Sequence, residues 1–276
     1  MYLCIGSLLS CSRDGTLCTW NLSQLSEPLE AVSLRPGEAS LPGGGLGGGG
    51  LVVSPTALAS CQEDVDQLVV GCEDGVIYCA SRKGTSYSLG PPIQAHKGPV
   101  TSIHVHPASE APQADLSHLA ASSSMDCTCR VWDRKTGRNI VTLEGGSSEY
   151  VLDVQWSPVH AGLLATGDAA GLLQLWDLST STDAPVEEFV VGERGAGGGG
   201  EEEEDTLVLN GIGEGARSIH RLGWSCDGRF LACGDSGGRV HMIPLGNEAF
   251  DVPAAQSDKT LALLSAAQDL GVSGIQ

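Results

Sequence analysis

The chain has 276 residues, 38 of them glycine and only 4% aromatic, with 15 basic and 34 acidic side chains and a net charge of −19. That length can bury one large core or two smaller ones, and scarce aromatics with abundant glycine fit short strands and many turns. The acidic balance argues against a nucleic-acid or anionic-membrane surface, which needs clustered Lys and Arg, and no apolar stretch approaches the roughly 20 residues of a spanning helix.

In chain order, Leu8 to Trp20 (LLSCSRDGTLCTW) reads as two strands about an Asp-Gly turn. The unit returns as LVVGCEDGVIYCA, ending at Ala80, LAASSSMDCTCRVW, ending at Trp132, LLATGDAAGLLQLW, ending at Trp176, and FLACGDSGGRVHMI, ending at Ile243. The third copy is the clearest. Leu119 to Ser123 is a strand, Met125-Asp126-Cys127 a turn, Thr128 to Asp133 a strand ending in Trp-Asp, Lys135-Thr136-Gly137 a turn, and Asn139 to Leu143 the next strand. Longer intervals hold inserts. Arg35 to Gly50 and the segment of about 192–217, with its glycine run and Glu201 to Asp205, read as disordered; Pro107 to Ala114 carries two prolines and no periodicity.

An inner strand is expected before each unit. Val100 to His106 and Tyr150 to Trp156 alternate, Ser218 to Trp224 ends at a Cys-Asp-Gly turn, and Leu51 to Leu58 is weaker. Only six residues precede Ser7, so the first unit is expected to lack this strand and sequence before it to be missing. One more strand is expected near Ala249 to Val252, then a helix over Lys259 to Leu270. Strand pairs ending in Trp-Asp at this spacing mark WD40 blades, with repeats of roughly 40–45 residues. The expected fold is therefore an all-β WD40 β-propeller, incomplete, with four full blades and part of a fifth. Residues 1–257 form it, and 258–276 form a C-terminal helix and tail.

The third unit carries the full WD40 hydrogen-bond set: His96 before the inner strand, Ser122 in the second strand, Asp126 in the turn and Trp132 in the third. Such an imidazole satisfies a hydroxyl and a carboxylate at a strand corner. A His, a Ser and an Asp also resemble a hydrolase triad, but Ser10 and Asp14 hold the same offsets from Trp20, and Trp176 closes the fourth unit. The structural assignment follows the repeat. Gly234-Asp235-Ser236-Gly237-Gly238 matches a serine-protease nucleophile motif, yet Asp235 sits where Asp168 does in GDAAG, so a turn is expected. His104 and His106 share a strand face and could begin a metal site; with no third ligand they are expected to face a channel. The Gly43–Gly48 match to a dinucleotide fingerprint has no strand–helix context. Four basic residues gather on one hairpin, Arg130, Arg134, Lys135 and Arg138, and read as a solvated turn. Ten cysteines include no Cys-x-x-Cys pair and sit mostly in strands, so free thiols and a reducing, cytosolic setting are expected. No signal peptide, catalytic residue, cofactor or metal is assigned.

AHKGPVTSIHVH (Ala95 to His106), DLSHLAASSSMD (Asp115 to Asp126), YVLDVQWSPVHAGLLATGD (Tyr150 to Asp168), GDSGGRVHMIPLG (Gly234 to Gly246) and LLSCSRDGTLCTWNLSQLSEP (Leu8 to Pro28) resemble the C-terminal WD40 region of the cytoplasmic dynein intermediate chain. The resemblance covers most of the chain outside the Gly and Glu inserts. It implies a seven-bladed propeller docking on the dynein heavy chain tail, in microtubule-based transport in the cytoplasm. Two blades are then wanting, as is the family's N-terminal arm, through which light chains and dynactin bind. An axonemal intermediate chain or another WD40 scaffold is the alternative.

Overall fold

The computed structural model describes residues 2–4, 7–36, 52–61, 64, 66–84, 86–107, 116–145, 147–192, 216–245, 260 and 262. The expected inserts, the strand near Ala249 and the rest of the expected C-terminal helix lie outside them. Thr260 and Ala262 are helical, and Thr260 is buried where a Cβ on Gly162 would touch its hydroxyl.

Among the described residues, twenty short strands form five antiparallel sheets in chain order. The first sheet holds β1 (Tyr2–Cys4), β2 (Ser7–Cys11), β3 (Thr16–Asn21) and β4 (Glu30–Ser33). The second holds β5 (Pro55–Ser60), β6 (Gln67–Cys72), β7 (Val76–Lys83) and β8 (Ser86–Leu89), with β9 (Ile93–Gln94) also on β7. The third holds β10 (Val100–Val105), β11 (Leu119–Ser124), β12 (Cys129–Asp133) and β13 (Arg138–Leu143). The fourth holds β14 (Val151–Trp156), β15 (Leu163–Asp168), β16 (Leu172–Asp177) and β17 (Glu187–Val190), and the fifth β18 (Ile219–Trp224), β19 (Phe230–Asp235) and β20 (Val240–Pro244). Five sheets match the five expected units; the fifth shows three strands among the described residues, and the outer strand expected near Ala249 lies outside them.

One expectation about the blades is corrected. The first sheet does have an inner strand, because three residues, Tyr2 to Cys4, suffice to pair with Ser7 to Leu9. The second sheet also departs from the simple unit. Its outer strand is split into β8 and β9 at Gly90-Pro91-Pro92, where two residues without an N–H cannot extend the ladder.

Inner strands β5, β10, β14 and β18 lie side by side, so the sheets stand as consecutive blades around one axis. Among the described residues no strand of the fifth sheet pairs with the first, and the ring is open. The core lies between blades. Trp132 packs with Ala57, Ala59 and Ile77 of the second sheet, and Trp176 with Ala121 and Val131 of the third. Small residues on one blade thus make room for the tryptophan of the next, which gives the close packing of a protein interior. A slab of this kind buries most of its apolar area against neighbours and little within one sheet.

Candidate functional site

The turn between second and third strands organises each blade. Gly15, Gly75, Gly171 and Gly238 stand five residues before the strand-closing position, with φ between +79° and +84°. Cys127 holds the same place in the third blade at φ +66°, the sole non-glycine with positive φ among the described residues. An L-residue is disfavoured there, and the preceding Asp126 is tied into a network that holds the turn.

In that network His96 Nδ1 lies 3.1 and 3.2 Å from the two Asp126 carboxylate oxygens, and His96 Nε2 lies 2.8 Å from Ser122 Oγ. Trp132 Nε1–H donates to Ser122 Oγ at 3.2 Å. Asp126 further accepts the Lys97 and Thr128 N–H groups and the Thr128 hydroxyl. All contacts are satisfied when imidazole is neutral, with Nδ1–H toward the carboxylate and Nε2 accepting from Ser122. Electrostatics agree. Burial holds the His96 pKa below its ordinary value despite Asp126. Burial alone would raise Asp126, but the Lys97 N–H, the Thr128 hydroxyl and His96 together leave it lowered. The four residues are brought together as a chain of hydrogen bonds, and Ser122 has no exposed surface for a substrate to reach.

The other units keep parts of the chain. Trp20 Nε1–H donates to Ser10 Oγ at 2.8 Å, while Asp14 accepts the Thr16 N–H. Trp176 Nε1–H donates to Thr166 Oγ1 at 3.2 Å, and Ser147 donates to Asp168 where the third blade has His96. In the second blade Val70 and Ala80 replace the polar pair outright, both buried. In the fifth, His241 Nε2 meets Asp235 at 2.9 Å from the third strand instead of from before the first.

The remaining sequence candidates resolve differently. Ser236 is an exposed turn residue whose N–H bonds the Ser218 carbonyl, and Asp235 is occupied by His241 and the N–H groups of Gly237 and Arg239. His104 and His106 do not line a channel. Trp156 N–H donates to His104 Nδ1 at 2.8 Å, and His106 Nε2 lies 2.9 Å from the Ala161 carbonyl, both across to the fourth blade. In a radial array the two faces of a blade look at its neighbours, and only the inner edge looks at the axis. Among the described residues no three His, Cys, Asp or Glu side chains group as metal ligands, and nine cysteines are free thiols. No helix there is long and apolar enough to cross a membrane.

One repeated feature had no sequence signal. β5, β10, β14 and β18 each carry a bulge after their first residue, leaving Thr56, Thr101, Leu152 and His220 outside the ladder. Bulges re-aim side chains. These four line one depression at the axial end of the arc, with Met125 and Arg221 beside them.

Comparison with known proteins agrees with this geometry. The model of the WD domain, G-beta repeat, matches residues 89–133, from the end of β8 through β12. The sequence repeat is thus staggered against the blade, taking outer strand from one sheet and three strands from the next. The chain is 30% identical over 236 residues to the cytoplasmic dynein 1 intermediate chain of Drosophila melanogaster, covering 86% of this chain and 30% of that protein. A crystal structure of the computationally designed Ika8 protein superposes with a TM-score of 0.54 at 19% identity, over 88% of this chain and 57% of that one, a likeness of fold alone. The repeated turn, the His96 to Trp132 chain under the matched model and the relative's similarity together identify a WD40-repeat protein that is similar in sequence to the cytoplasmic dynein intermediate chain.

Proposed function

We propose that this chain is a non-catalytic subunit of a cytoplasmic dynein motor complex, a WD40 scaffold that docks on the heavy chain tail in microtubule-based transport. The observation that carries the reading is the similarity to a cytoplasmic dynein 1 intermediate chain along 86% of the chain. Its support from the molecule is chemical. The Ser122–His96–Asp126 constellation is spent on a buried corner, and rigid blades present surface that can hold a partner. On this reading His96, Ser122, Asp126 and Trp132 have a structural role, with Ser10, Asp14, Trp20 and Trp176 as counterparts. Residues 1–257 form the WD40 region and 258–276 its tail, and no cofactor is needed.

The test is affinity purification of the tagged chain from cells, with mass spectrometry of what it retains. The expected result is recovery of a dynein heavy chain. Recovery of a reproducible set of other proteins without any dynein subunit would assign the chain to a different WD40 assembly.

A further inference from the structure

The outer turn of the third blade, between β12 and β13, gathers basic side chains in an acidic molecule. Arg134, Lys135 and Arg138 stand in one five-residue stretch, in a chain where acids outnumber bases 34 to 15. Thr136 lies among them, exposed at the tip. Its hydroxyl donates to Asp133 Oδ2 at 2.8 Å, the Lys135 N–H donates to Asp133 Oδ1 at 2.8 Å, and the Gly137 N–H closes the turn on the Asp133 carbonyl at 2.7 Å. Asp133 thus shapes the tip through its own side chain and backbone.

The neighbouring blades separate what the turn needs from what it does not. In the fourth blade Asp177 follows Trp176 as Asp133 follows Trp132, and Thr180 Oγ1 donates to Asp177 Oδ2, again at 2.8 Å. The Ser179 N–H takes the place of the Lys135 N–H on the aspartate. Around Thr180 stand Leu178, Ser179, Ser181 and Thr182, with no basic residue among them. The turn therefore forms without cations. In the second blade Arg82 and Lys83 hold the positions of Arg134 and Lys135, but Gly84 stands where Thr136 does, and Arg82 is paired with Glu30 of the first blade at 2.7 Å. Only the third blade combines the exposed hydroxyl with the basic flanks. Arg134 is fixed beside the tip by its Nε–H, which donates to the Ser117 carbonyl at 2.9 Å, and Lys135 and Arg138 are exposed.

We infer that Thr136 is a phosphorylation site for a serine/threonine kinase that reads basic residues on both sides of its acceptor. Thr136 Oγ attacks the γ-phosphorus of ATP, the bond from that phosphorus to the β-phosphate oxygen breaks, ADP leaves, and the hydroxyl proton goes to the catalytic aspartate of the kinase. The product carries about −1.5 to −2 charges at neutral pH. It gives up the Asp133 bond, since two anionic acceptors repel, and meets Arg134, Lys135 and Arg138 in charge-assisted hydrogen bonds. The tip changes from a basic to a near-neutral surface while the blade core stays as it is. β13 is the outermost strand of its sheet, so its first residues can open to admit the kinase at little cost to the core. The site is independent of which motor complex the chain joins.

The test incubates the purified chain with ATP and the isolated catalytic domain of protein kinase C, and maps the phosphate by mass spectrometry. One phosphate on Thr136 is expected, and Thr136→Ala should remove it. Lys135→Gln combined with Arg138→Gln, both at exposed positions, should slow incorporation by about tenfold, with the melting temperature read alongside to show that the variant folds. Thr180, in the same turn without basic flanks, should stay unmodified. Phosphate on other residues with Thr136 bare overturns the assignment. So does equal modification of Thr136 and Thr180, or an unchanged rate in the double variant, since exposure and not charge would then select the hydroxyl. No incorporation into the folded chain overturns it as well, and a peptide of residues 130–142 then tells whether the turn withholds the hydroxyl or the sequence is not read.

Discussion

At the scale of single residues, buried polar groups decide what the chain tolerates. Asp126 accepts hydrogen bonds from the backbone N–H of Lys97, ahead of the inner strand, from the backbone N–H and hydroxyl of Thr128, and from His96. Asp126→Ala leaves those donors unpaired and should destabilise the chain by about 1–3 kcal/mol, read from denaturant unfolding. His104 gives a pH signature. Burial, with His106 adding to it, lowers its pKa from 6.5 to about 4. The unfolded chain therefore takes up a proton near 6.5 that the folded chain refuses until about 4. This stability is complete above 6.5 and is lost as pH falls through that window; His96, lowered chiefly by burial, acts in the same direction. His104→Gln should narrow the stability difference between about pH 7 and about pH 5. An unchanged difference would mean that His104 is not held neutral by the interface.

At the scale of the element, the turn before each third strand demands left-handed backbone. Four blades meet the demand with glycine and the third with Cys127. Replacing this residue should therefore separate by backbone type. Cys127→Gly should keep or raise the melting temperature, and Cys127→Val, β-branched at positive φ, should cost about 1–2 kcal/mol. Loss of stability in both variants would show that the thiol contact to the Ser148 carbonyl, 3.3 Å away, matters more than φ. The same positions at Gly75 and Gly171 are closed to any side chain, since a Cβ would strike the backbone of His96 and Arg217.

At the scale of the whole molecule, blades are joined by a few repeated pegs on top of apolar packing. Thr56 and Thr101 each reach the carbonyl that opens the next inner strand, and Asp153 reaches Leu222 N–H in the fifth blade. Burial raises the Asp153 pKa against the pull of these bonds. Thr101→Val keeps the shape and strands the Val151 carbonyl, so it should cost about 1 kcal/mol. Surface ion pairs between the first two blades, Arg13 with Glu73 and Arg82 with Glu30, add less, being exposed or half-exposed.

Sequence alone determined the repeat, and with it the fold class and the His96, Ser122, Asp126 and Trp132 cluster. The reason is that period, turn chemistry and the ten-residue offset from hydroxyl to tryptophan are local, and local pattern survives in one dimension. The short strand at Tyr2 escaped because three residues carry no periodicity. His104 and His106 escaped because alternation tells which residues share a face but not what the face meets. Only the packing of neighbouring blades turned that pair from a channel lining into an inter-blade contact. The bulges after Pro55, Val100, Val151 and Ile219 were likewise decided by tertiary structure. An extra residue in a ladder has no sequence signature in Thr, Leu or His; it is set by the curvature each inner strand needs beside its neighbours, and that curvature exists only once the blades are assembled.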